Sequence, residues 1–319
     1  MIVDCHTHFV PRSFTRALEA GGRPFGYDRG PAGAIVHPAG PVLPVGYDEL
    51  HDPAAKLRVL DGQRLDAAVV SITPHLFVHA GEAGERFARD ANDDLAAFVA
   101  ESERLVGLAT VPVDRPAAAG RELERAVAEL GLRGAILGTS HPDGRDYARE
   151  DLEPLFAAAQ ALGVPLMLHP FYAGPIRDES RFLSNSIGVP LDTLLGTVAI
   201  IYSGLLDAYP EVRLVLPHGG GHLPFQLGRL DNGWRIKPDR RGAAAHPPSH
   251  YLDRFLFDSV LHDPLALRFL VELAGQERIL LGTDAPYLTG EQDPVAFVAA
   301  AGCDPDALGA TAARVFGIG

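Results

Sequence analysis

Two histidines, His6 and His8, follow the apolar start of the N-terminal sequence MIVDCHTHFVP. Residues two apart on a β-strand point to the same face, so a strand over 2–6 projects both imidazoles from its C-terminal end. A single histidine at a strand end is usually an ordinary polar side chain. Two adjacent imidazoles instead suggest a metal ion.

Three further candidate residues end apolar runs elsewhere in the chain. His169 ends LMLH, His218 ends VLPH and Asp284 ends LLGTD. Three neutral imidazoles and one carboxylate suit Zn²⁺ or another divalent transition metal, and they leave a position for solvent. Without a shared function, each of these polar residues would need its own structural reason to lie at a strand end. A metal site explains all of them together, so the pattern favours one.

The sequence PHGGGH begins with His218 and ends with His222. Its three glycines permit backbone conformations and a close approach of substrate that larger side chains would prevent. A glycine-rich turn with an incidental histidine is the alternative. We assign a functional role to His218 and keep His222 as an alternative base or fifth ligand.

Other side chains restrict the site further. The only lysines are Lys56 and Lys237, and neither ends a predicted strand. A lysine carbamate bridging two metal ions is therefore ruled out, and a single metal ion is favoured. His75 and His79 follow the second apolar run, and we expect them to line the mouth of the site.

Eight short apolar runs alternate with amphipathic segments, which predicts repeated βα units. No GxGxxG follows the first run, so a (β/α)₈ TIM barrel of class α/β is favoured over an open doubly wound sheet. A barrel places the ends of its strands, and thus the candidate residues, on one face. The runs are 2–6, 66–72, 104–111, 133–139, 164–170, 212–218, 254–259 and 278–284.

Helical patterns occupy 54–65, 91–102, 120–130 and 151–162, with a helix start near Asn92 and a stop at Gly163. Residues 11–51 are rich in Gly and Pro and lack a helical period. We expect them to form an irregular lid or short hairpin over the barrel mouth. No linker divides the chain, so residues 1–319 are predicted to be one domain.

Composition narrows the class of partner. The 319 residues carry 28 Lys+Arg and 41 Asp+Glu, a net charge of −13, which disfavours nucleic acid and anionic membranes and favours a small molecule. With two cysteines, a disulfide framework is not expected, and a reducing cytoplasm is the predicted location. No window approaches the ~20 apolar residues of a membrane span.

The motifs together resemble a known family. The segments DCHTHFVP, DPAAKLRVLD, LMLHP, PHGGGHLPFQLGRLDNGW and ILLGTDAPY, spread over nearly the whole chain, are similar to the amidohydrolase superfamily. The likeness is to its branch of 2-amino-3-carboxymuconate-6-semialdehyde decarboxylase and hydroxybenzoate decarboxylases. The resemblance implies that one divalent metal ion, usually zinc and with manganese as an alternative, is held by His6, His8, His169 and Asp284. It also implies that His218 is the acid/base residue that acts on a metal-bound water.

The resemblance further implies a homodimer in which Arg229 reaches the neighbouring subunit's substrate carboxylate. A surface arginine on a helix is the alternative. Two departures concern the substrate. The segment VLPVGYDELHDP lacks the substrate-binding arginine of the branch, and Asn185 replaces an aromatic residue before GVP. We therefore expect a carboxylic acid with one fewer carboxylate in that position.

The resulting hypothesis is a metal-dependent decarboxylase, a carbon–carbon lyase, for a small unsaturated or aromatic carboxylic acid. It would use metal-activated water and His218. The alternative is a hydrolase of an amide or lactone, with Asp284 or His218 passing the proton, or a hydratase on the same site. A further alternative is a barrel that a metal ion stabilises and that serves binding or regulation without catalysis. His218 argues against it, because a structural metal ion with four protein ligands needs no additional base.

Overall fold

The computed structural model describes residues 1–30, 35–36, 42–43, 46–171 and 182–319. Each of the eight predicted runs forms a strand, and these strands are buried on both faces, as parallel strands enclosed by helices must be. The strands are β1 (Val3–Phe9), β2 (Asp28–Arg29), β3 (Ile35–Val36), β4 (Val42–Leu43), β5 (Ala67–Ile72), β6 (Leu105–Gly107), β7 (Ala109–Thr110), β8 (Ala135–Gly138), β9 (Leu166–His169), β10 (Leu214–Leu216), β11 (Phe255–Asp258) and β12 (Ile279–Leu280).

The strand order describes a closed barrel. One sheet runs β1-β5-β6, and a second runs from β7 to β12 in sequence order. Only Leu108 separates β6 from β7, so these two form one interrupted barrel strand. The circle closes where Cys5 N donates to Leu281 O at 2.9 Å and Asp284 N donates to His6 O at 2.9 Å. The predicted (β/α)₈ barrel is confirmed.

The helices cover the outside of the barrel, and Gly163, at φ +66°, ends α5 as predicted. They are α1 (Arg12–Glu19), α2 (Pro53–Gln63), α3 (Gly81–Val99), α4 (Pro116–Ala128), α5 (Arg149–Leu162), α6 (Val189–Tyr202), α7 (Leu205–Ala208), α8 (Leu223–Ile236), α9 (Pro264–Ala274), α10 (Pro294–Ala300) and α11 (Pro305–Phe316).

The predicted start of the third helix near Asn92 is wrong. Helix α3 begins at Gly81, and Asn92 lies buried in its middle. The Asn92 amide donates to Thr110 O at 2.9 Å and accepts from Thr110 N at 2.8 Å. Asn92 therefore binds the interrupted third strand of the barrel through two hydrogen bonds. Because asparagine is also common at helix starts, the sequence alone did not distinguish this tertiary role from a helix cap.

The insertion at 11–51 is more regular than predicted. It contains helix α1, and its strands β2, β3 and β4 pair antiparallel as a small sheet. Residues 31–34, 37–41 and 44–45 of the insertion lie outside the described residues. Its placement as a lid over the mouth therefore stays a prediction.

One segment contradicts the expectation that no window could span a membrane. By length and composition alone, the helical residues Ser184–Tyr202 pass that test, and 39% of the window is buried inside the protein. Core helices of barrel proteins pass the same test. Gly196 allows close packing here, since a Cβ at that position would lie 2.6 Å from Thr139 O.

Candidate active site

The four predicted metal ligands meet at one end of the barrel, although β1 runs on to Phe9, so His6 and His8 lie within this strand and not at a strand end at residue 6. His6 Nε2 lies 3.2 Å from His8 Nε2 and 3.0 Å from His169 Nε2. Asp284 Oδ1 lies 3.3 Å from His6 Nε2 and 3.1 Å from His8 Nε2. All four side chains are buried. The barrel therefore brings together, on one face, residues that are up to 278 positions apart in sequence.

His218 borders the same group of donor atoms. Its Nε2 lies 3.4 Å from Asp284 Oδ2, and its side chain is 15% exposed, more than the others. One donor atom from each of His6, His169, His218 and Asp284 lies within 4.8 Å of the others, an arrangement that could itself hold a metal ion.

Asp258 is a member of the site that the sequence reasoning missed. This buried carboxylate ends β11, and its Oδ2 accepts from His6 Nδ1 at 2.7 Å. Its Oδ1 accepts from Gly219 N at 2.9 Å and Val260 N at 3.1 Å. Asp258 thereby joins His6 to the turn that carries His218. The sequence did carry a signal for Asp258, because it too is a polar residue near the end of a predicted strand, the run 254–259.

The other two histidines are oriented by backbone carbonyl groups. His8 Nδ1 lies 3.1 Å from Ile72 O, and His169 Nδ1 lies 2.7 Å from Pro170 O. Carbonyl oxygens only accept hydrogen bonds, so the proton is on Nδ1 and Nε2 presents a lone pair. Asp258 accepts from His6 Nδ1 in the same way, so the Nε2 lone pairs of all three histidines point toward one another. A bound cation would stabilise this arrangement. The residues therefore fit a metal ion.

The electrostatics of the cluster favour the ligating forms of its members. Burial lowers the pKa of His8 to about 4 and lowers the pKa of His169 well below its ordinary value. Burial would raise the pKa of Asp284, but the charge of His6 and hydrogen bonds from His218 and His8 hold it well below its usual range. At neutral pH the cluster therefore offers an ionised Asp284 carboxylate and neutral imidazoles on His8 and His169.

The backbone is strained at two residues of this site. His218 has φ 56° and Asp284 has φ 62°, in the left-handed region that L-residues rarely adopt. The glycines after His218 also have positive φ, and a Cβ at Gly221 would lie 2.3 Å from Pro190 O. The expectation that these glycines permit an unusual turn is confirmed.

Several sequence candidates lie outside the cluster. His222 directly precedes α8 and is half-buried, and its imidazole is not among the converging donor atoms. Lys56 is buried in α2, and its Nζ has no hydrogen-bond partner among the described residues. Arg229 is exposed on α8, so within one chain it does not contact the metal ligands. Its role across a dimer interface stays a prediction.

The two histidines predicted at the mouth differ in their surroundings. His75 is half-buried, and its ring lies 5.7 Å from that of Tyr287, which in turn lies 5.3 Å from the ring of His8. His79 is buried, and its ring lies 5.3 Å from that of Phe87. His79 thus packs against α3, and its place at the mouth stays a prediction.

Comparison with known proteins identifies the family. A model of the amidohydrolase family matches residues 3–318. The chain belongs to the amidohydrolase family. A curated relative, 2-amino-3-carboxymuconate-6-semialdehyde decarboxylase of Dictyostelium discoideum, is 30% identical to this amidohydrolase chain over 307 residues. The match covers 92% of this chain and 83% of the relative.

Solved structures of other members share the fold. The 5-carboxyvanillate decarboxylase of Sphingomonas paucimobilis has a TM-score of 0.81 at 26% identity, covering 100% of this chain and 99% of that one. A dihydroxybenzoic acid decarboxylase of Polaromonas sp., with bound manganese and 2-nitroresorcinol, has a TM-score of 0.77 at 24% identity, covering 99% and 96%. This amidohydrolase chain therefore has its relatives in the decarboxylase branch, as its motifs indicated.

Proposed function

We propose that this chain is a metal-dependent decarboxylase, a carbon–carbon lyase, of a small aromatic or unsaturated carboxylic acid. The observation that carries the proposal is the position of His218, whose Nε2 lies 3.4 Å from Asp284 Oδ2 and beside the converging nitrogens of His6, His8 and His169. The decarboxylase relatives support the same reaction class.

The proposed metal ligands are His6, His8, His169 and Asp284, holding one divalent ion per chain. A nitrogen-rich set with one carboxylate suits zinc, and the manganese in the Polaromonas relative makes manganese the second candidate. When bound, the ion supplies a Lewis acid that polarises an oxygen of the substrate or of water.

The proposed task of His218 is proton delivery. As the bond between the ring carbon and the carboxyl group breaks, CO₂ leaves and the electron pair stays with the ring. The proton on His218 Nε2 then forms the new C–H bond. Asp284 Oδ2 lies 3.4 Å from that nitrogen and, as an anion, favours a proton on the side of His218 that faces the cluster. Such a positioned proton donor contributes about 10²–10⁴-fold to the rate.

The test is CO₂ release by zinc- or manganese-loaded protein from a panel of hydroxybenzoates and carboxylated muconate semialdehydes. The proposal predicts that His218→Ala keeps its metal ion but loses turnover, whereas Asp284→Ala loses both. Loss of metal from His218→Ala would make His218 a ligand. Proton release from lactones or amides, with no CO₂ from any acid, would make the enzyme a hydrolase.

We also propose a homodimer in which Arg229 of one subunit binds the substrate carboxylate in the other. Arg229 is exposed on α8, and the strongly exposed Phe225 lies one turn earlier on the same helix face. Mixing His218→Ala with Arg229→Ala subunits tests this directly. Heterodimers then contain one intact site, so random mixing recovers about a quarter of wild-type activity. No recovery would restrict Arg229 to its own chain.

A cytoplasmic enzyme acting on a small molecule is the remaining part of the proposal. The net charge of −13 supports a small-molecule substrate, because nucleic acids and anionic membranes repel an acidic surface, and the presence of two cysteines in 319 residues supports a reducing compartment. Fractionation of cells expressing the chain tests the location, and recovery of the protein with membranes would contradict it.

A further inference from the structure

Asp4 is a fully buried carboxylate on β1, two residues before His6, and it has no part in the mechanism above. Its Oδ1 accepts from His6 N at 2.9 Å and from Thr283 N at 3.1 Å. Its Oδ2 accepts from Thr283 Oγ1 at 2.6 Å. One side chain therefore binds the backbone of a proposed ligand, His6, and the residue directly before a second proposed ligand, Asp284.

Strand β1 contains one extra residue in the region of His6. Asp4 pairs with Ala68 and Thr7 pairs with Val70, so three steps along β1 match two steps along β5. Such a bulge interrupts the ladder of backbone hydrogen bonds, and a buried N–H there needs another acceptor. Asp4 Oδ1 is an acceptor for His6 N. A side chain thus satisfies the N–H of a residue whose imidazole is a proposed ligand.

The backbone that carries Asp284 is held by the same pair of side chains. Asp284 has a φ of 62°, a conformation that persists only where the surrounding structure fixes the backbone. Thr283 is bound to Asp4 on one side, and its Oγ1 accepts from Ala285 N at 3.1 Å on the other. The single hydrogen of Thr283 Oγ1 has Asp4 Oδ2 at 2.6 Å as its nearer acceptor, against 3.4 Å for His6 O. The pair therefore fixes the peptides before and after Asp284.

We propose that Asp4 and Thr283 are positioning residues, which hold His6 and Asp284 as one unit and thereby set the affinity of the site for its metal ion. The inference rests on the ligand set of the proposed function. A site whose ligands must be ordered on binding loses affinity, because the binding free energy then has to supply that ordering. With both ligand backbones bound to one carboxylate, their relative position is fixed before the ion binds.

The first test variant is Thr283→Val, which keeps nearly the same shape and lacks the hydroxyl. We expect its affinity for zinc, measured by competition with a chelator, to fall about 10–100-fold. Thr283→Ser retains the hydroxyl and should keep the wild-type affinity. Thr197→Val is the matched control, because it removes a buried hydroxyl whose hydrogen bond, to Thr193 O, lies within α6. This control should bind zinc as wild type does.

The second test variant is Asp4→Asn. Its Oδ1 can still accept from His6 N and Thr283 N, but its Nδ2 cannot accept from the Thr283 hydroxyl. It should weaken zinc binding as Thr283→Val does, and it decides the question if Thr283→Val does not fold. Circular dichroism and urea unfolding of the metal-free proteins measure the effect on folding. The visible spectrum of the cobalt-loaded proteins reports the geometry around the ion, so it should change in both variants and not in Thr197→Val.

Three results would overturn the inference. They are an unchanged zinc affinity in Asp4→Asn and Thr283→Val, an equal weakening in Thr283→Val and Thr197→Val, and an equal weakening in Thr283→Ser and Thr283→Val. Because metal binding is measured without turnover, these results are independent of CO₂ release. In each of them wild type still binds zinc, whereas a wild-type protein that binds no divalent ion would refute the proposed function as well.

Discussion

At the scale of single residues, the orientation of the three proposed ligand histidines depends on the hydrogen-bond acceptors at their Nδ1 atoms. His6 Nδ1 has a carboxylate partner, Asp258 Oδ2, at 2.7 Å. The other two, His8 and His169, use backbone carbonyl groups. The carboxylate makes His6 the most basic of the three, since burial lowers its pKa but the charges of Asp284 and Asp258 leave the pKa raised.

Replacing Asp258 by Asn should weaken metal binding about 10–100-fold. The Asn Oδ1 can still accept from Gly219 N and Val260 N, while its Nδ2 cannot accept from His6 Nδ1. The fold should therefore survive and the His6 orientation should not. Competition with a metal chelator measures the affinity, and circular dichroism controls for folding. An unchanged metal affinity would remove Asp258 from the site.

Lys56 should make the protein's stability depend on pH in the alkaline range. Burial lowers its pKa from 10.5 to about 8, although Glu49 and Asp4 oppose this. Between these two values the unfolded chain binds more protons, so stability rises with pH. The cost of the buried charge is present below pH 8 and is lost as the pH rises towards 10.5.

The matched variant for that prediction is Lys56→Met. From pH 7 to 10.5, wild type should gain about 3 kcal/mol in free energy of unfolding relative to this variant. Urea unfolding at both pH values measures the change, and the exposed Lys237→Met should show none. A difference that is constant with pH would mean that Lys56 is not held as a buried ammonium.

The sequence predicted that the proposed ligand residues lie close together, because barrel topology places strand ends side by side. The rule needs no distances, so it brought His6, His169 and Asp284 together from three separate motifs. The same rule covers Asp258 at the end of β11, but Asp258 acts through His6 Nδ1, and that role leaves no spacing pattern.

At the scale of elements, the turn between β10 and α8 positions His218. Its glycines have positive φ, and Gly219 N is bonded to Asp258 Oδ1 at 2.9 Å. The turn therefore contacts two further elements. Strand β11 contributes Asp258, and the start of α6 contributes Pro190, which faces Gly221. The sequence predicted the freedom of the glycines, and only the packed structure shows the contacts that require it.

Gly221→Ala should destabilise the fold by about 1–3 kcal/mol or more. The added Cβ would lie 2.3 Å from Pro190 O, and φ of +58° is unfavourable for alanine. Gly228→Ala on α8 is the control, because nothing lies within 4 Å of its Cβ and alanine favours helices. Thermal and urea unfolding measure both variants. Equal stability of Gly221→Ala and wild type would show that the turn tolerates a side chain.

The errors in the predicted elements have two physical causes. Asn92 is a good capping residue by type, but in α3 its amide is used for tertiary hydrogen bonds to Thr110. In the insertion, helix α1 buries Phe14 and Leu18. This helix is too short, and too close to the Gly/Pro-rich sequence that follows, to give a clear helical period.

At the scale of the whole molecule, the barrel exposes apolar side chains on two neighbouring helices. Phe225 on α8 is 82% exposed and Phe269 on α9 is 43% exposed, with their ring centroids 6.4 Å apart. Leu265 on α9 is 65% exposed. Contiguous apolar surface of this kind is typical of an interface, and Arg229 lies on the same helix as Phe225.

Phe225→Asp should therefore shift the proposed dimer to monomers and reduce turnover, because Arg229 would lose its neighbouring site. Phe225→Tyr, which keeps the aromatic surface, should remain dimeric. Light scattering over a concentration series measures the mass. A wild-type monomer, or a Phe225→Asp protein of unchanged dimeric mass, would place the interface elsewhere or exclude it.

The most direct test of the metal-dependent decarboxylase is a titration of metal-free protein with zinc or manganese while CO₂ release from a hydroxybenzoate is followed. The initial rate should rise linearly and reach a plateau at one ion per chain. The His218→Ala protein should bind the same one ion and release no CO₂. Undiminished CO₂ release by metal-free protein, or full release by His218→Ala, would contradict the account.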